Sequence, residues 1–215
     1  MKDIKKHPYQ VLLCDLGNVI LYFDHNIIYR SIGEYTGFSA DQTRAVIDST
    51  TIHLDYEYGA VTDLEFYKTI LSLFKLSEKK LPFDKFCRIW CAIFSPNHAF
   101  IDTLSVLSQT MDTALISNTN SLHYSYIQTK FPYITQLFGA NTILSHKTGL
   151  RKPDRRMFEQ AVKMMGVTYN QCVYVDDIPE YVNTARELGM CAIVYRNHAE
   201  FVDRIKQLRL LNAIP

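Results

Sequence analysis

Three carboxylates stand where short apolar segments end, and carboxylates placed in this way can bind a divalent cation or act as nucleophiles. Asp15 follows the apolar residues 11–14, and Asp176 and Asp177 follow the apolar residues 172–175. A buried carboxylate is costly unless it is paired, hydrogen-bonded or bound to a metal. Two adjacent carboxylates also repel each other, and hard oxygen ligands of this kind suit Mg²⁺. The alternatives are an Asp15 that caps the next turn and a solvated Asp176–Asp177 turn.

Two further segments carry groups that can hold an anion. Ser117 and Asn118 follow the apolar residues 114–116, and a hydroxyl with free N–H groups at a helix start can bind a phosphate. Lys152 precedes Pro153, which suits the first turn of a helix. The alternatives are a helix N-cap at Ser117 or Asn118 and an ordinary surface lysine at position 152.

Short apolar runs and helical periods alternate along most of the chain and predict the elements that carry these residues. Strands are predicted at residues 11–14, 114–116, 142–144, 172–175 and 192–195, and helices at residues 121–130, 155–165, 180–188 and 200–210. This alternation predicts an α/β fold with a Rossmann-like parallel sheet and right-handed crossovers. Ligands of open α/β sheets bind outside the carboxyl ends of the strands, which is where the polar residues stand.

The segment between the first strand and residue 96 has a different pattern. Residues 26–95 contain helical periods, such as Leu64, Tyr67, Leu71 and Phe74, and no convincing strand. We predict a four-helix insertion at residues 22–95, with residues 21–25 and 95–97 as its hinges. Residues 1–21 and 96–215 then form the α/β core.

The order of these motifs resembles that of the haloacid dehalogenase-like (HAD) hydrolase superfamily. Four motifs carry the resemblance. They are D-L-G-N-V-I from Asp15, S-N-T-N from Ser117, R-K-P around Lys152 and V-D-D-I from Val175. They look most like bacterial glucose-1-phosphate phosphatases, and the phosphatase domain of soluble epoxide hydrolase is a further relative. The resemblance spans nearly the whole chain and implies an HAD-like core whose α-helical cap closes over the site.

The resemblance also implies a reaction and a set of site residues. Asp15 would be the nucleophile that forms an aspartyl-phosphate, and Lys152 would assist it. The expected activity is Mg²⁺-dependent hydrolysis of a small phosphomonoester such as a sugar phosphate. The implied metal ligands are Asp15, the Gly17 carbonyl, Asp176 and Asp177, and the implied phosphate ligands are Ser117, Asn118 and Lys152.

One position departs from the pattern of most phosphatases in this superfamily. They carry a second acid two residues after the nucleophile, which protonates the leaving group, whereas this sequence has Gly17. The glucose-1-phosphate phosphatase subgroup resembles this sequence in having glycine there. Asp24 and His25 are candidates for a replacement acid, and the alternative is that they begin the next helix.

Three other functions remain open. A 2-haloacid dehalogenase also uses an aspartate without the second acid, but such enzymes need no Mg²⁺ and lack an acidic pair like Asp176 and Asp177. A non-catalytic HAD-like binding protein would have lost turnover, which the retention of Asp15, Ser117 and Lys152 argues against. A serine hydrolase based on Ser117 would carry a G-x-S-x-G motif, and the sequence has none.

Composition agrees with a small metabolic enzyme. The 215 residues include 23 basic and 22 acidic side chains, so there is no electrostatic footprint for nucleic acid. The first apolar run is too short for a signal peptide or a membrane helix, so we expect a cytoplasmic protein whose partner is a small phosphorylated metabolite. Five cysteines without framework spacing indicate reduced thiols. The sequence does not predict the oligomeric state.

Overall fold

Seven strands and twelve α-helices make up the computed structural model, which describes residues 8–211. The strands are β1 (Val11–Cys14), β2 (Leu21–Phe23), β3 (Phe94–Pro96), β4 (Asp112–Ser117), β5 (Thr142–Leu144), β6 (Cys172–Asp176) and β7 (Cys191–Val194). The helices are α1 (Asn26–Thr36), α2 (Ala40–Asp48), α3 (Ile52–Glu57), α4 (Asp63–Leu73), α5 (Phe83–Cys91), α6 (His98–Leu107), α7 (Ser121–Lys130), α8 (Pro132–Gln136), α9 (Ser145–Thr148), α10 (Arg155–Met165), α11 (Pro179–Glu187) and α12 (His198–Gln207). Within residues 8–211, no helix has the length and apolar character needed to cross a membrane.

Five strands form one parallel sheet in the order β5-β4-β1-β6-β7. The central strand β1 is fully buried, and its side chains alternate between the two faces of the sheet. Leu12 and Cys14 pack in a cluster with α6, α7 and α12, whereas Val11 and Leu13 pack in a second cluster with α10 and α11. A parallel strand covered on both faces must be apolar at every position, which explains the run at residues 11–14. The α/β fold with a Rossmann-like parallel sheet is therefore confirmed.

Most predicted boundaries in this core agree with the structure. Strands β1 and β5 and helices α7 and α10 have the predicted bounds, while β4 and β6 extend far enough to include Ser117 and Asp176. Strand β7 and helix α11 are shifted by one residue. The prediction that Pro153 lies in the first turn of a helix is wrong. Helix α10 begins at Arg155, and the Asp154 side chain caps it by accepting the Arg156 N–H.

The segment between β2 and β3 contains α1 to α5, so it has five helices where four were predicted. Two of them begin with a capping box, formed by Ser39 with Gln42 in α2 and by Thr62 with Glu65 in α4. The apolar side chains of the segment form a third cluster of their own, separate from the two on the sheet. We call residues 22–95 the helical insertion.

The two connections to the helical insertion are strands rather than loops. Strands β2 and β3 pair in an antiparallel ribbon, with Leu21 opposite Pro96 and Phe23 opposite Phe94. The side chain of Asn97 continues this contact, because it donates to the Val19 carbonyl at 2.8 Å. The segments predicted as hinges therefore enter and leave the core side by side, close to the end of β1.

Candidate active site

The carboxyl ends of β1 and β6 bring two carboxylates to one buried ammonium group. Lys152 Nζ lies 2.5 Å from Asp15 Oδ1 and 2.6 Å from Asp176 Oδ2. Only 2% of Lys152 is exposed, so it is not an ordinary surface lysine. Burial alone would lower the pKa of Lys152, but the two carboxylates outweigh burial and raise this pKa above its ordinary value. The side chain therefore remains charged.

Both carboxylate oxygens of Asp176 accept hydrogen bonds from the protein. Oδ2 accepts from Lys152 and from the Tyr174 hydroxyl, and Oδ1 accepts from the Ile178 N–H at 2.8 Å. Tyr174 and Asp176 stand two residues apart on β6 and therefore share one face of the strand. Burial, together with the charge of Asp176, raises the pKa of Tyr174 well above its ordinary value, so this hydroxyl stays protonated and donates. Asp176 is thus fixed in one orientation.

Asp177 completes a group of three carboxylates. Asn18 Nδ2 donates to Asp177 Oδ2 at 3.1 Å from a left-handed backbone (φ 54°), which asparagine tolerates. One oxygen each from Asp15, Asp176 and Asp177 lies within 4.8 Å of the others. Burial raises the pKa of both Asp15 and Asp177. Three carboxylates exceed the single positive charge of Lys152, and an all-oxygen anionic set of this kind fits Mg²⁺.

Ser117 and Asn118 lie at the carboxyl end of β4, beside this cluster. Asn118 Oδ1 accepts the Lys152 N–H at 2.8 Å, and Asn118 Nδ2 donates to the Lys152 carbonyl at 3.1 Å. Ser117 is buried and, with Asn118, lines the cavity next to Gly17. Neither residue caps α7, because its N-cap is Asn120, whose side chain accepts the His123 N–H. The N-cap interpretation is therefore wrong for both residues.

The ring of Phe23 occupies the space beside Gly17. A Cβ atom built on Gly17 would lie 2.7 Å from Phe23 Cε1, closer than real Cβ contacts allow. Both residues line a cleft of about 210 Å³ that also contains Asp15, Lys152 and Asp177. A larger side chain at position 17 would therefore have to displace this ring.

Asp24 lies at the start of α1. Its Oδ1 accepts the Asn26 N–H at 2.9 Å, and its Oδ2 lies 3.6 Å from Arg30 Nη2. Half of the Asp24 side chain is exposed, and Asp24 does not line the cleft that contains Asp15. His25 lines the neighbouring cavity together with Gly17 and Phe23.

Comparison with known proteins decides the family. A family model described as haloacid dehalogenase-like hydrolase matches residues 11–189, which is most of the chain. The chain belongs to the haloacid dehalogenase-like hydrolases. The matched region begins at β1 and runs past the acidic pair at the end of β6, so it includes every residue of the cluster around Lys152.

Solved structures share the fold of this hydrolase. A HAD-like family hydrolase of Porphyromonas gingivalis superimposes with a TM-score of 0.79 and 19% identity, covering 94% of this chain and 98% of that chain. A HAD family enzyme of Bacteroides thetaiotaomicron, in complex with magnesium and inorganic phosphate, gives a TM-score of 0.76 and 22% identity, covering 87% of this chain and 94% of that chain. At these identities the likeness establishes the fold.

One curated relative has a named activity. Flavin mononucleotide hydrolase 1 of Arabidopsis thaliana, a chloroplast protein by its name, is 27% identical to this hydrolase over 122 residues. The match covers 55% of this chain and 49% of the relative. The hydrolase thus aligns with about half the length of that relative.

The helical insertion contacts the core at the mouth of the cleft. Arg151 Nη2 lies 2.8 Å from Glu57 Oε2, and the Arg151 guanidinium lies 5.5 Å from the ring centre of Tyr58. Next to this pair, the backbone of Gly59 packs so closely that an added Cβ would meet the His146 carbonyl oxygen at 2.1 Å. Glu57 and Arg151 both line the cleft, so the helical insertion forms part of the wall of the cleft.

Sequence reasoning missed several residues of this site, and only some of them left a signal. Tyr174 could have been found, because strand alternation places it on the same face as Asp176. Asn18 could also have been found, since it follows Gly17 in the turn after β1. The contacts of Glu57 with Arg151 and of Phe23 with Gly17 had no local signal, because they depend on how the helical insertion packs against the core.

Proposed function

We propose that this hydrolase is a Mg²⁺-dependent phosphatase that hydrolyses a small phosphomonoester through an aspartyl-phosphate intermediate. The observation that carries the proposal is the buried contact of Lys152 with Asp15 and Asp176 beside Asp177. This arrangement combines a carboxylate nucleophile, a fixed cation for phosphate oxygens and oxygen ligands for a divalent metal.

Asp15 is the proposed nucleophile. Its carboxylate oxygen attacks phosphorus in line, forming a carboxylate–phosphorus bond while the ester oxygen leaves, and water then hydrolyses the aspartyl-phosphate. Lys152 assists by holding Asp15 Oδ1 in place at 2.5 Å. The ammonium group also offsets the negative charge that a phosphate dianion brings to the cluster.

The proposed metal ligands lie at the ends of β1 and β6, and they are Asp15, the Gly17 carbonyl, Asp176 and Asp177. When bound, Mg²⁺ would neutralise the repulsion between the nucleophile and the phosphate dianion. Asp15, the Gly17 carbonyl and Asp177 are the most available ligands. Asp176 is less available, because both of its oxygens already accept hydrogen bonds from the protein. We infer that Asp176 acts chiefly by fixing Lys152.

Ser117, Asn118 and Lys152 are the proposed phosphate ligands. The Ser117 hydroxyl and the Lys152 ammonium would hold non-bridging oxygens as charge moves onto the leaving group, which is the electrostatic role that usually contributes most to catalysis. The side chain of Asn118 is engaged with the Lys152 backbone. Its proposed contribution to phosphate binding is therefore the backbone N–H.

The proton for the leaving group has no protein donor in this proposal. Gly17 carries no side chain, and Asp24 binds the first turn of α1 instead of lining the cleft. His25 lines the neighbouring cavity rather than the cleft, and burial lowers its pKa, so it is mostly neutral near pH 7. We therefore propose that water, and not Asp24, supplies the proton.

Residues 22–95 are the proposed cap domain, and residues 1–21 and 96–215 are the proposed core. A cap that closes the cleft would exclude water and select the substrate. A sugar phosphate is the substrate expected from the sequence resemblance, and flavin mononucleotide, named in the plant relative, is a second candidate. We also propose a cytoplasmic location, which cell fractionation would test.

The residues around Lys152 favour a phosphatase over a 2-haloacid dehalogenase or a binding protein. A dehalogenase has no need for the third carboxylate, Asp177, or for the asparagine that holds it. A binding protein would not require a buried lysine paired with the nucleophile.

Release of phosphate from an aryl phosphate, measured with Mg²⁺ and with excess chelator, tests the proposed function. We expect turnover with Mg²⁺, its loss on chelation and its recovery when Mg²⁺ is restored. Asp15→Asn should abolish turnover, whereas Asp112→Asn, which changes an exposed aspartate at the opposite end of the sheet, should not. Undiminished activity after exhaustive chelation would overturn the metal assignment.

A further inference from the structure

A cavity next to the cleft lies between the helical insertion and the start of α7. Its volume is about 260 Å³, and six of its twelve lining residues carry rings, namely His25, Tyr29, His53, Tyr56, Trp90 and His123. Ligand pockets are commonly about 300–1,000 Å³, so this cavity has room for one ring system rather than for a whole nucleotide.

The cavity adjoins the cleft, because the two share lining residues with each other and with the small cavity next to Gly17 described above, which we call the small space. Glu57 lines both the cavity and the cleft, and it also lines the small space. His25 and His123 line the cavity and the small space, while Gly17 and Phe23 line the small space and the cleft. A phosphomonoester with its phosphate at Asp15 would therefore extend its leaving group toward the cavity.

Several polar groups in the cavity wall are already bonded to the protein. The Tyr56 hydroxyl donates to Asp63 Oδ1 at 2.7 Å. His123 Nε2 is bonded to the Trp90 carbonyl and Nδ1 to the Asn120 side chain. These groups cannot bind the many hydroxyls of a sugar without breaking their present bonds.

Two buried ring nitrogens in the wall have no partner among the described residues. They are the Trp90 indole Nε1 and His53 Nδ1. Buried polar groups are nearly always hydrogen-bonded, so this pair is consistent with a ligand that carries its own polar ring atoms. Trp90 is 94% buried, because only 6% of it is exposed.

The charges around the cavity are paired. Arg44 Nε lies 3.2 Å from Asp48 Oδ2, and Glu57 is paired with Arg151. Within the described part of the chain, no unpaired lysine or arginine lines this cavity. A leaving group with a second phosphate or a carboxylate would have to compete with Asp48 for Arg44.

We propose that the cavity binds the uncharged heteroaromatic ring of the substrate, so that the enzyme acts on monophosphates of the nucleoside or flavin type rather than on sugar phosphates. This inference rests on the proposed function. His53 and Trp90 are the specificity-determining residues: both line the cavity, and a small turn of either ring would bring its unpartnered nitrogen to a polar atom at the edge of the substrate ring.

Trp90 is the only tryptophan in the chain, so its fluorescence reports directly on the cavity. Riboflavin and adenosine are titrated as phosphate-free probes, with ribitol and ribose as matched compounds without a ring, and absorbance is corrected with free tryptophan. We expect saturable quenching by at least one ring-bearing probe and none by ribitol or ribose. His53→Leu should weaken this binding about tenfold, the size of one lost hydrogen bond, and His98→Leu at an exposed histidine should not.

Kinetics give the second arm of the test. We expect kcat/KM at least tenfold higher for riboflavin 5′-phosphate than for ribitol 5-phosphate, or for adenosine 5′-monophosphate than for ribose 5-phosphate. Each pair shares the same kind of leaving oxygen, so the ratio reports the ring alone. His53→Leu should reduce the ratio.

The two arms separate the inference from the proposed function. Saturable quenching without release of phosphate from any ester would support the cavity assignment and overturn the proposed phosphatase. Release of phosphate with equal kcat/KM within both pairs, or absence of quenching by both ring-bearing probes, would overturn the inference and leave the phosphatase standing.

Discussion

The ring of Phe23 fills the space that a side chain at position 17 would need, with Cε1 only 2.7 Å from a Cβ built on Gly17. The two residues belong to different parts of the molecule. Gly17 follows the central strand, whereas Phe23 ends β2 at the entrance to the helical insertion. The Phe23 ring can therefore occupy this position only because residue 17 is a glycine and not an acid.

Introducing an acid at position 17 should require removal of this ring. We expect Gly17→Asp alone to lower kcat on an aryl phosphate about tenfold, because the new side chain displaces Phe23. Gly17→Asp with Phe23→Ala should instead raise turnover of an alkyl phosphate relative to the aryl phosphate by tenfold or more, since a positioned acid typically contributes about 10²–10⁴-fold. Steady-state kinetics on both esters measure this ratio.

Phe38→Ala, at an exposed phenylalanine of the helical insertion, is the matched control for loss of an aromatic side chain. If Gly17→Asp alone gave the same gain as the double variant, Phe23 would not be the obstacle.

Replacement of Lys152 should affect stability as well as turnover. The sequence alone indicates a functional lysine whose loss leaves stability nearly unchanged. In the structure Lys152 is buried against two carboxylates, and loss of one partner from a buried ion pair typically costs about 3–5 kcal/mol. We expect Lys152→Met to abolish turnover and to lower the free energy of unfolding by a similar amount, measured by urea denaturation with chelator present.

Mg²⁺ should recover part of the stability lost in Lys152→Met, because it also neutralises the three carboxylates. Lys163→Met on the exposed face of α10 is the control. Unchanged stability of Lys152→Met in chelator would contradict the buried charge cluster.

Several features of the core and of the site have local signals in the sequence. Strand β1 was predicted with its bounds because four apolar residues end at Asp15, and parallel pairing then placed Ser117 and Asp176 at the same sheet edge. Helix α6 was missed, although Phe100, Ile101 and Leu104 have helical spacing. These features are local, so the sequence contains them.

Contacts between the helical insertion and the core could not be predicted in the same way. Arg151 and Glu57 are 94 positions apart, and each looks like an ordinary surface charge in its own segment. The partnering of His123 with Trp90 has the same character, because it joins α7 of the core to α5. Such pairs depend on how the helical insertion packs against the core, and the local periodicity of the sequence carries no information about that packing.

His123 should make stability depend on pH. Burial lowers the pKa of His123 to about 3, against the opposing effect of its bond to the Trp90 carbonyl. Because the folded pKa lies below the unfolded value of about 6.5, the neutral form stabilises the fold above pH 6.5, and this contribution is lost as pH falls toward 3. Relative to His123→Gln, the native chain should lose about 1.5 kcal/mol of unfolding free energy between pH 6.5 and pH 5.

Urea denaturation at several pH values measures this difference, with His98→Gln at an exposed histidine as the control. Parallel pH dependence of the native chain and His123→Gln would show that this histidine is not held neutral between α7 and α5.

The aspartyl-phosphate is the central claim, and a crystal structure with Mg²⁺ and beryllium fluoride tests it most directly. Beryllium fluoride binds a carboxylate as a mimic of the phosphoryl group, so the adduct marks the nucleophile. We predict an adduct on the Asp15 carboxylate, with its fluorine atoms facing Ser117 and Lys152. An adduct on any other residue, or fluoride bound without contact to Asp15, would contradict the account.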